Sequence, residues 1–284
     1  MFYKLYRYDL EKDEIALDPS CHLDFLKKSI GRDSDGDFAV YLKQKSVLMY
    51  VREFAGGFTG LIGKHSTERE VTRYIEESDE AKQSMAVDDD YPHTPFICVP
   101  ENLMIACVDG AITAKSAVAR LHAVVAHHTG CMVSATPVRQ IPDLASIFAN
   151  FHVTEVDYEI VPVNPHTGDL GISLDTSKKM DHVERLVGRA IAAEGDSLQL
   201  NGGFVSAVQD LQQSGHCRVG FTGATDEGIE VRLGKPDRKS YFQKEPGTGT
   251  PPELRVRINE RLEYPFSSEH LAKITEIMKV FSVT

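Results

Sequence analysis

Apolar and polar positions alternate along this chain in a way that predicts both strands and helices, most clearly in the stretch after Pro95. Residues 96–99 and 103–108 are two short apolar runs joined by turn-forming residues, a pattern that predicts an antiparallel hairpin buried on both faces. A helix is predicted next, because Thr113 can cap it, apolar residues recur at three- and four-residue steps, and Gly130 can end it. The sequence then predicts a returning strand, so this stretch forms a scaffold of sheet and helix.

The rest of the chain gives a similar mixture of elements. Further strands are predicted at residues 2–9, 38–42, 47–54, 153–163, 217–221, 229–233 and 254–259. Further helices are predicted at residues 23–30, 67–75, 144–148, 178–193 and 204–211, and in a last segment capped by Ser267. We therefore predict an α+β fold with two lobes, each built on an antiparallel sheet covered by helices.

The boundary between the lobes is predicted at residues 164–171, which combine proline, glycine, histidine and threonine. This division gives an N-terminal α+β globular lobe at residues 1–165. The C-terminal α+β lobe, residues 166–284, carries a basic sheet face.

Composition indicates an ordinary globular protein, with a hydrophobic share of 42% and a charged share of 26%. The sequence has no apolar run of the roughly 18 to 20 residues that a membrane helix needs, and its first residues alternate like a strand instead of forming a signal peptide. We therefore expect a cytoplasmic protein. Its formal net charge of -11 repels phosphate at long range, so DNA could be held only where lysines and arginines gather locally.

The five cysteines are far apart and never form a CxxC pair, so the sequence supports neither a disulfide framework nor a structural zinc site. We expect reduced and mostly buried thiols, and we expect no cofactor. The consecutive carboxylates at residues 88–90 could hold a divalent cation, but a solvated loop is the favoured interpretation. His122 and His127 are five residues apart and cannot share a helix face, so we predict no metal site there either.

The glycine-rich segment at residues 56–66 invites comparison with a phosphate-binding loop. That motif needs a glycine five residues before its GlyLys pair and a serine or threonine directly after it, where this chain has Phe58 and His65. Nucleotide binding is therefore not predicted. The segment is interpreted as a flexible loop that leads into a helix, with Thr67 and Glu70 as its capping box.

The most informative pattern for function is the strict alternation near the C-terminus. Residues 254, 256 and 258 are apolar, whereas Arg255, Arg257 and Asn259 face the other side of the predicted strand. If the neighbouring segments pair into one antiparallel sheet, several cations share its solvent face. The residues predicted to contact DNA on this basis are Arg218, Arg232, Lys235, Arg238, Lys239, Arg255 and Arg257. An ordinary charged face on a half-buried sheet is an equally good interpretation of the same pattern.

In its order of elements the chain resembles the RexA family of phage exclusion proteins. The similarity is carried by the strand at 46–54, the predicted helix that ends near Ser78, the hairpin at 95–110 with its helix, and the strand at 153–163. It is also carried by the strand at 218–221, the AspGlu turn at 225–228 and the segment 241–245. The family has basic residues on the strand before the AspGlu turn, where this sequence has Thr222, Gly223 and Ala224. For that reason the predicted DNA contacts are taken from sheet alternation.

The resemblance implies a homodimer of two lobes that binds double-stranded DNA with little sequence preference. It also implies a sensor of infecting phage inside the cell, with a membrane protein as effector, and a fold similar to that of the recombination-associated protein RdgC. No catalytic residue and no small-molecule substrate are predicted.

Two alternatives stay open at the level of the sequence. One is a metal-dependent enzyme that processes nucleic acid, whose carboxylates or nucleophile would meet only in three dimensions. The other is a protein-interaction adaptor that binds no nucleic acid, which suits the acidic net charge.

Overall fold

A computed structural model gives the fold of most of the chain. It describes residues 2–13, 15–18, 20–22, 24, 38–41, 46–64, 69–75, 80–86, 92–141, 143–160, 186–201, 203–234, 253–258 and 263–282. The described residues contain strands, most of them in one large antiparallel sheet, together with helices, and the fold is α+β, as predicted.

The strands are numbered in chain order. They are β1 (Phe2–Lys12), β2 (Ile15–Ala16), β3 (Phe38–Tyr41), β4 (Ser46–Phe54), β5 (Gly57–Lys64), β6 (Arg69–Ile75), β7 (Glu80–Ala86), β8 (His93–Val99), β9 (Met104–Val108), β10 (Met132–Pro137), β11 (His152–Ile160), β12 (Leu186–Ile191), β13 (Cys217–Ala224), β14 (Glu230–Gly234) and β15 (Glu253–Arg257). The helices are α1 (Ala114–Thr129), α2 (Leu144–Asn150), α3 (Gly203–Gln213) and α4 (Ser268–Phe281), with a single 3₁₀ turn at Pro100–Asn102.

The chain divides into two compact units, and both are assembled from separated segments. Unit 1 consists of Met1–Leu5, Pro137–Leu262 and Glu276–Thr284, and unit 2 consists of Tyr6–Thr136 and Glu263–Thr275. The segment in which the lobe boundary was predicted lies outside the described residues. The structure groups β11, which the prediction placed in the N-terminal lobe, with β12 and β13, because it pairs with both of them.

In unit 2 the strands follow the order β1, β9, β8, β5, β4, β3, and β2 and β10 also pair with β1. The predicted hairpin is confirmed as β8 and β9, which are antiparallel, and the residues of β9 are all buried. The predicted helix is confirmed as α1: the Thr113 hydroxyl accepts a hydrogen bond from the Ser116 amide, and Gly130 closes the helix at φ 69°. The buried residues Ala117, Leu121 and Val124 of α1 belong to the core of this unit.

In unit 1 the strands follow the order β12, β11, β13, β14, β15, with the first residues of β1 next to β15. One face of this sheet is apolar, and Phe221, Val231 and Val256 on it are at most 1% exposed. The ring of Phe281, from the end of α4, stacks near Phe221 and Phe151 at centroid distances of 6.3 Å and 6.0 Å. The charged side chains of these strands therefore lie on the opposite face, because successive residues of a strand alternate between faces.

The glycine-rich segment is not a loop. It forms β5, which pairs with β4 on one side and with β8 on the other, and seven of its eight residues are buried. Small residues are needed here for packing: a Cβ atom on Gly60 would lie 2.9 Å from the ring of Phe96 and 3.2 Å from the Met49 carbonyl oxygen. The glycines that suggested a phosphate-binding loop thus allow close approach of side chains and backbone inside the sheet.

Two further helix predictions were wrong. Residues 69–75 form β6, which pairs with β7. Residues 186–191 form β12 instead of the end of a helix, and residues 178–185 lie outside the described residues. In both cases pairing with a neighbouring strand outweighs the helical spacing of a few apolar residues. The helix predicted at 23–30 lies almost wholly outside the described residues.

Candidate nucleic-acid interface

The segments predicted to carry cations do pair into one sheet. β13, β14 and β15 are consecutive antiparallel neighbours in unit 1. The predicted alternation of β15 is also confirmed, since Leu254 and Val256 are fully buried whereas Arg255 and Arg257 point to the other face. Asn259 lies outside the described residues.

Three cations lie side by side across this face. Arg232 on β14 is in register with Arg255 on β15, and Arg255 is in register with Lys4 on β1. Paired strands lie about 4.8 Å apart, so the three side chains form a line that crosses three strands at right angles. We call Lys4, Arg255 and Arg232 the cation row. Thr222 of β13 continues the same line with a hydroxyl group.

Lys4 was missed by sequence reasoning. The sequence shows Lys4 between the apolar residues Tyr3 and Leu5, and the structure buries both of them in the core. What the sequence did not show is that the first strand of the chain pairs with the last one, and only that pairing brings Lys4 beside Arg255.

Arg255 lies at the centre of the cation row and has no acidic partner among the described residues. Its Nε atom is buried and makes no hydrogen bond. The residues in register with it on both sides are also cations. A buried donor without a partner costs about 1–3 kcal/mol of stability, and like charges directly opposite each other in a sheet are destabilising too.

Arg257 lies one step along β15 from the cation row and is the more accessible arginine. Its side chain is 49% exposed, and its Nη1 atom lies 3.6 Å from Oε2 of Glu230. The guanidinium group also lies over the ring of Phe2, 5.7 Å from the centroid. Arg257 is therefore partly neutralised by a neighbouring acid and partly held by an aromatic ring.

Acidic groups flank the cation row on both sides. On the side away from Arg257, Glu253 contacts Lys4 with its Oε2 atom 3.3 Å from Nζ, and both side chains are 19% exposed. On the side towards Arg257, Glu230 makes the contact described above. We call Glu253 and Glu230 the acidic border. Each acid lies two residues along its strand from an arginine of the cation row and on the same face.

A tighter ion-pair cluster lies farther along the sheet. Nε of Arg189 on β12 is 2.5 Å from Oδ1 of Asp157 and 2.8 Å from Oε1 of Glu155, both on β11. The hydrogen bond that Arg189 donates to Asp157 raises the pKa of Arg189. Two carboxylates hold this single cation, which leaves Arg189 poorly suited to bind an external anion.

Of the remaining predicted contacts, only Arg218 lies among the described residues, and it does not join the cation row. Arg218 on β13 is exposed and is in register with Glu159 of β11, four residues along the strand from Thr222. Lys235, Arg238 and Lys239 lie outside the described residues. Of the seven predicted residues, the structure brings Arg232, Arg255 and Arg257 together and holds Arg218 apart from them.

Among the described residues no group of three or more histidine, cysteine, aspartate or glutamate side chains could hold a metal ion. The carboxylates at 88–90 lie outside the described part of the chain. Within the described ranges no helix is long and apolar enough to cross a lipid bilayer.

Comparison with known proteins adds no further assignment. No protein-family model matches the chain, and no curated protein matches it. The sheet face of unit 1 is therefore the feature of the molecule from which a function can be inferred.

Proposed function

We propose that the protein binds double-stranded DNA without sequence preference, through the cation row and Arg257 on the polar face of unit 1. Lysine and arginine side chains neutralise phosphates and release condensed counterions, and this contribution does not depend on base sequence. The proposal assigns no catalytic step to the protein.

The observation that supports this proposal is the direct juxtaposition of Lys4, Arg255 and Arg232. The sheet gains no stability from placing Arg255 between two cations, because like charges in register repel. A bound phosphate would offset that repulsion and would give the buried Nε of Arg255 an acceptor. The arrangement is costly in the free protein and favourable in a complex with a polyanion.

The wider role follows from the resemblance of the element order to phage exclusion proteins. On that basis we propose a cytoplasmic homodimer that senses DNA in a phage exclusion or related anti-phage defence system and signals to a membrane effector protein. The net charge of -11 fits such a sensor, because repulsion at long range limits binding to DNA that reaches the cationic face.

Fluorescence anisotropy with two labelled duplexes of equal length and unrelated sequence tests the proposal over a series of salt concentrations. We expect equal affinity for both duplexes and a linear fall of log affinity with log salt. The variant that carries Arg232→Gln and Arg255→Gln should bind both duplexes more weakly and to the same degree. Its salt slope should be smaller by about 0.9 for each phosphate contact that is lost.

Lys279→Gln is the matched control, because it removes one cation from α4, where Lys279 is paired with Glu276 at 2.7 Å. It should leave affinity and slope unchanged. The proposal is overturned if the wild-type protein retains no duplex at low salt, or if the double arginine variant binds as well as the wild type.

A further inference from the structure

The acids beside the cation row have a definite placement. Glu253 and Glu230 lie on opposite sides of the row, each two residues from one of its arginines. A distance of two residues along a strand is about 7 Å, close enough for a carboxylate to repel a phosphate that contacts the row. We propose that this acidic border restricts the DNA-binding site to the width of the cation row and lowers the affinity of the site for phosphate. This inference rests on the proposed function and adds a specificity-determining role for two carboxylates.

Of the two acids of the border, Glu253 should weaken phosphate binding more. Its carboxylate contacts Lys4 at 3.3 Å, and both side chains are 19% exposed, so solvent screens their attraction only in part. A phosphate that contacts Lys4 must compete with Glu253 for the same ammonium group. One of the three cations of the row is therefore only partly available in the wild-type protein.

Glu230 acts in the same way on Arg257, but more weakly. The distance between the charged groups is 3.6 Å, and the side chains of Arg257 and Glu230 are 49% and 32% exposed. Since the more exposed pair is better screened, removing Glu230 should change affinity less than removing Glu253.

The two acids also set the direction of a bound strand. With a carboxylate on each side, phosphates that contact this face are favoured along the line of Lys4, Arg255 and Arg232, that is, across the strands of the sheet. Removing one acid adds a freed cation to the site. The number of phosphates neutralised should then rise by about one.

The experiment repeats the anisotropy titration with Glu253→Gln and Glu230→Gln, substitutions that keep the size of the side chain and remove its charge. We expect Glu253→Gln to bind duplex roughly twofold to fivefold more tightly at fixed salt, with a salt slope steeper by about 0.9. Glu230→Gln should show a smaller gain in the same direction. Far-UV circular dichroism and the midpoint of thermal unfolding establish that each variant is folded, and if one variant does not fold, the other decides.

Glu276→Gln is the matched control. Glu276 is a carboxylate of unit 1 that pairs with Lys279 on α4 at 2.7 Å, so its removal changes the net charge by the same amount away from the cation row. It should leave the slope unchanged. Equal effects of Glu276→Gln and Glu253→Gln would overturn the inference, as would unchanged or weaker binding by both border variants. If the wild-type protein itself binds no duplex, the proposed function fails; if it binds and the border variants match it, only this inference fails.

Discussion

At the scale of single residues, Arg255 shows how a sheet can hold a side chain that it does not need for folding. The residue is in register with cations on both sides, and its Nε atom has no hydrogen-bond partner. Arg189 on the same face is the opposite case, because it is held by two carboxylates. The two arginines should therefore respond to the same substitution in opposite ways.

We predict that Arg255→Met leaves the free energy of unfolding unchanged or raises it by about 1 kcal/mol, since it removes a buried donor and a charge repulsion. Arg189→Met should lower it by about 2–4 kcal/mol, because Asp157, whose side chain is 7% exposed, would lose its cation. Urea unfolding followed by circular dichroism measures both. A loss of stability in Arg255→Met as large as that in Arg189→Met would show that Arg255 has a structural partner.

The thiols provide a second prediction at this scale. Cys21 is exposed, and the other four cysteines are buried. Burial raises the pKa of Cys217 to about 12 and raises the pKa of Cys98 and Cys107 as well, so these groups stay protonated and unreactive near neutral pH.

Reaction of the native protein with a chromogenic disulfide reagent at pH 8 should therefore show one fast thiol, and denaturation should release the rest. Cys21→Ser should abolish the fast phase and leave the total after denaturation one lower. Two or more fast thiols in the native protein would contradict the packing of the core around β8, β9 and β13.

At the scale of elements, the sequence predicted those helices and strands whose local pattern and tertiary partners agree. The hairpin of β8 and β9, the capped helix α1 and the alternation of β15 are of this kind. β5, β6 and β12 were not predicted, because their backbone is fixed by neighbouring strands that are not visible locally. The same reason explains why the site was predicted only in part. Alternation within one strand identified Arg255, whereas Lys4 lies beside Arg255 only because β1 pairs with β15.

A substitution in β5 tests whether neighbouring strands require its glycines. Gly60→Ala should lower the free energy of unfolding by about 1–3 kcal/mol, because its Cβ would lie 2.9 Å from the ring of Phe96 and 3.2 Å from backbone. Gly203→Ala, at the start of α3, is the control: a Cβ there meets nothing within 4 Å, so we expect no loss and up to about 1 kcal/mol of gain. Thermal and urea unfolding measure the stability of both variants. Equal stability of the two would show that Gly60 is not needed for close packing in β5.

At the scale of the whole molecule, neither unit is one continuous piece of chain. Unit 2 includes Glu263–Thr275, where the Tyr264 hydroxyl donates a hydrogen bond to the Tyr50 carbonyl and also lies 3.5 Å from the Thr59 carbonyl oxygen. Unit 1 includes the first residues of β1 together with β15. Dividing the chain at any single position between β1 and β15 therefore separates segments that pair with each other.

We predict that residues 1–165, the lobe suggested by the sequence, do not fold alone. In that fragment β11 lacks β12 and β13, and the start of β1 lacks β15, so apolar faces and strand edges are left uncovered. Size-exclusion chromatography should show aggregation, and a hydrophobic dye should bind far more strongly than to the full chain. A compact monomeric fragment that unfolds cooperatively would disprove this, and coexpression of residues 166–284 should restore a compact species.

The pairing of β1 with β15 also has a consequence for how the protein is made. Residues 2–4 are synthesised well before their partners at 255–257. At about 5–20 residues per second, translation of the intervening chain takes on the order of 10–50 s. For that interval the edge of β1 that pairs with β15 has no partner, so the sheet of unit 1 is completed, and Lys4 comes to lie beside Arg255, only after β15 has been synthesised.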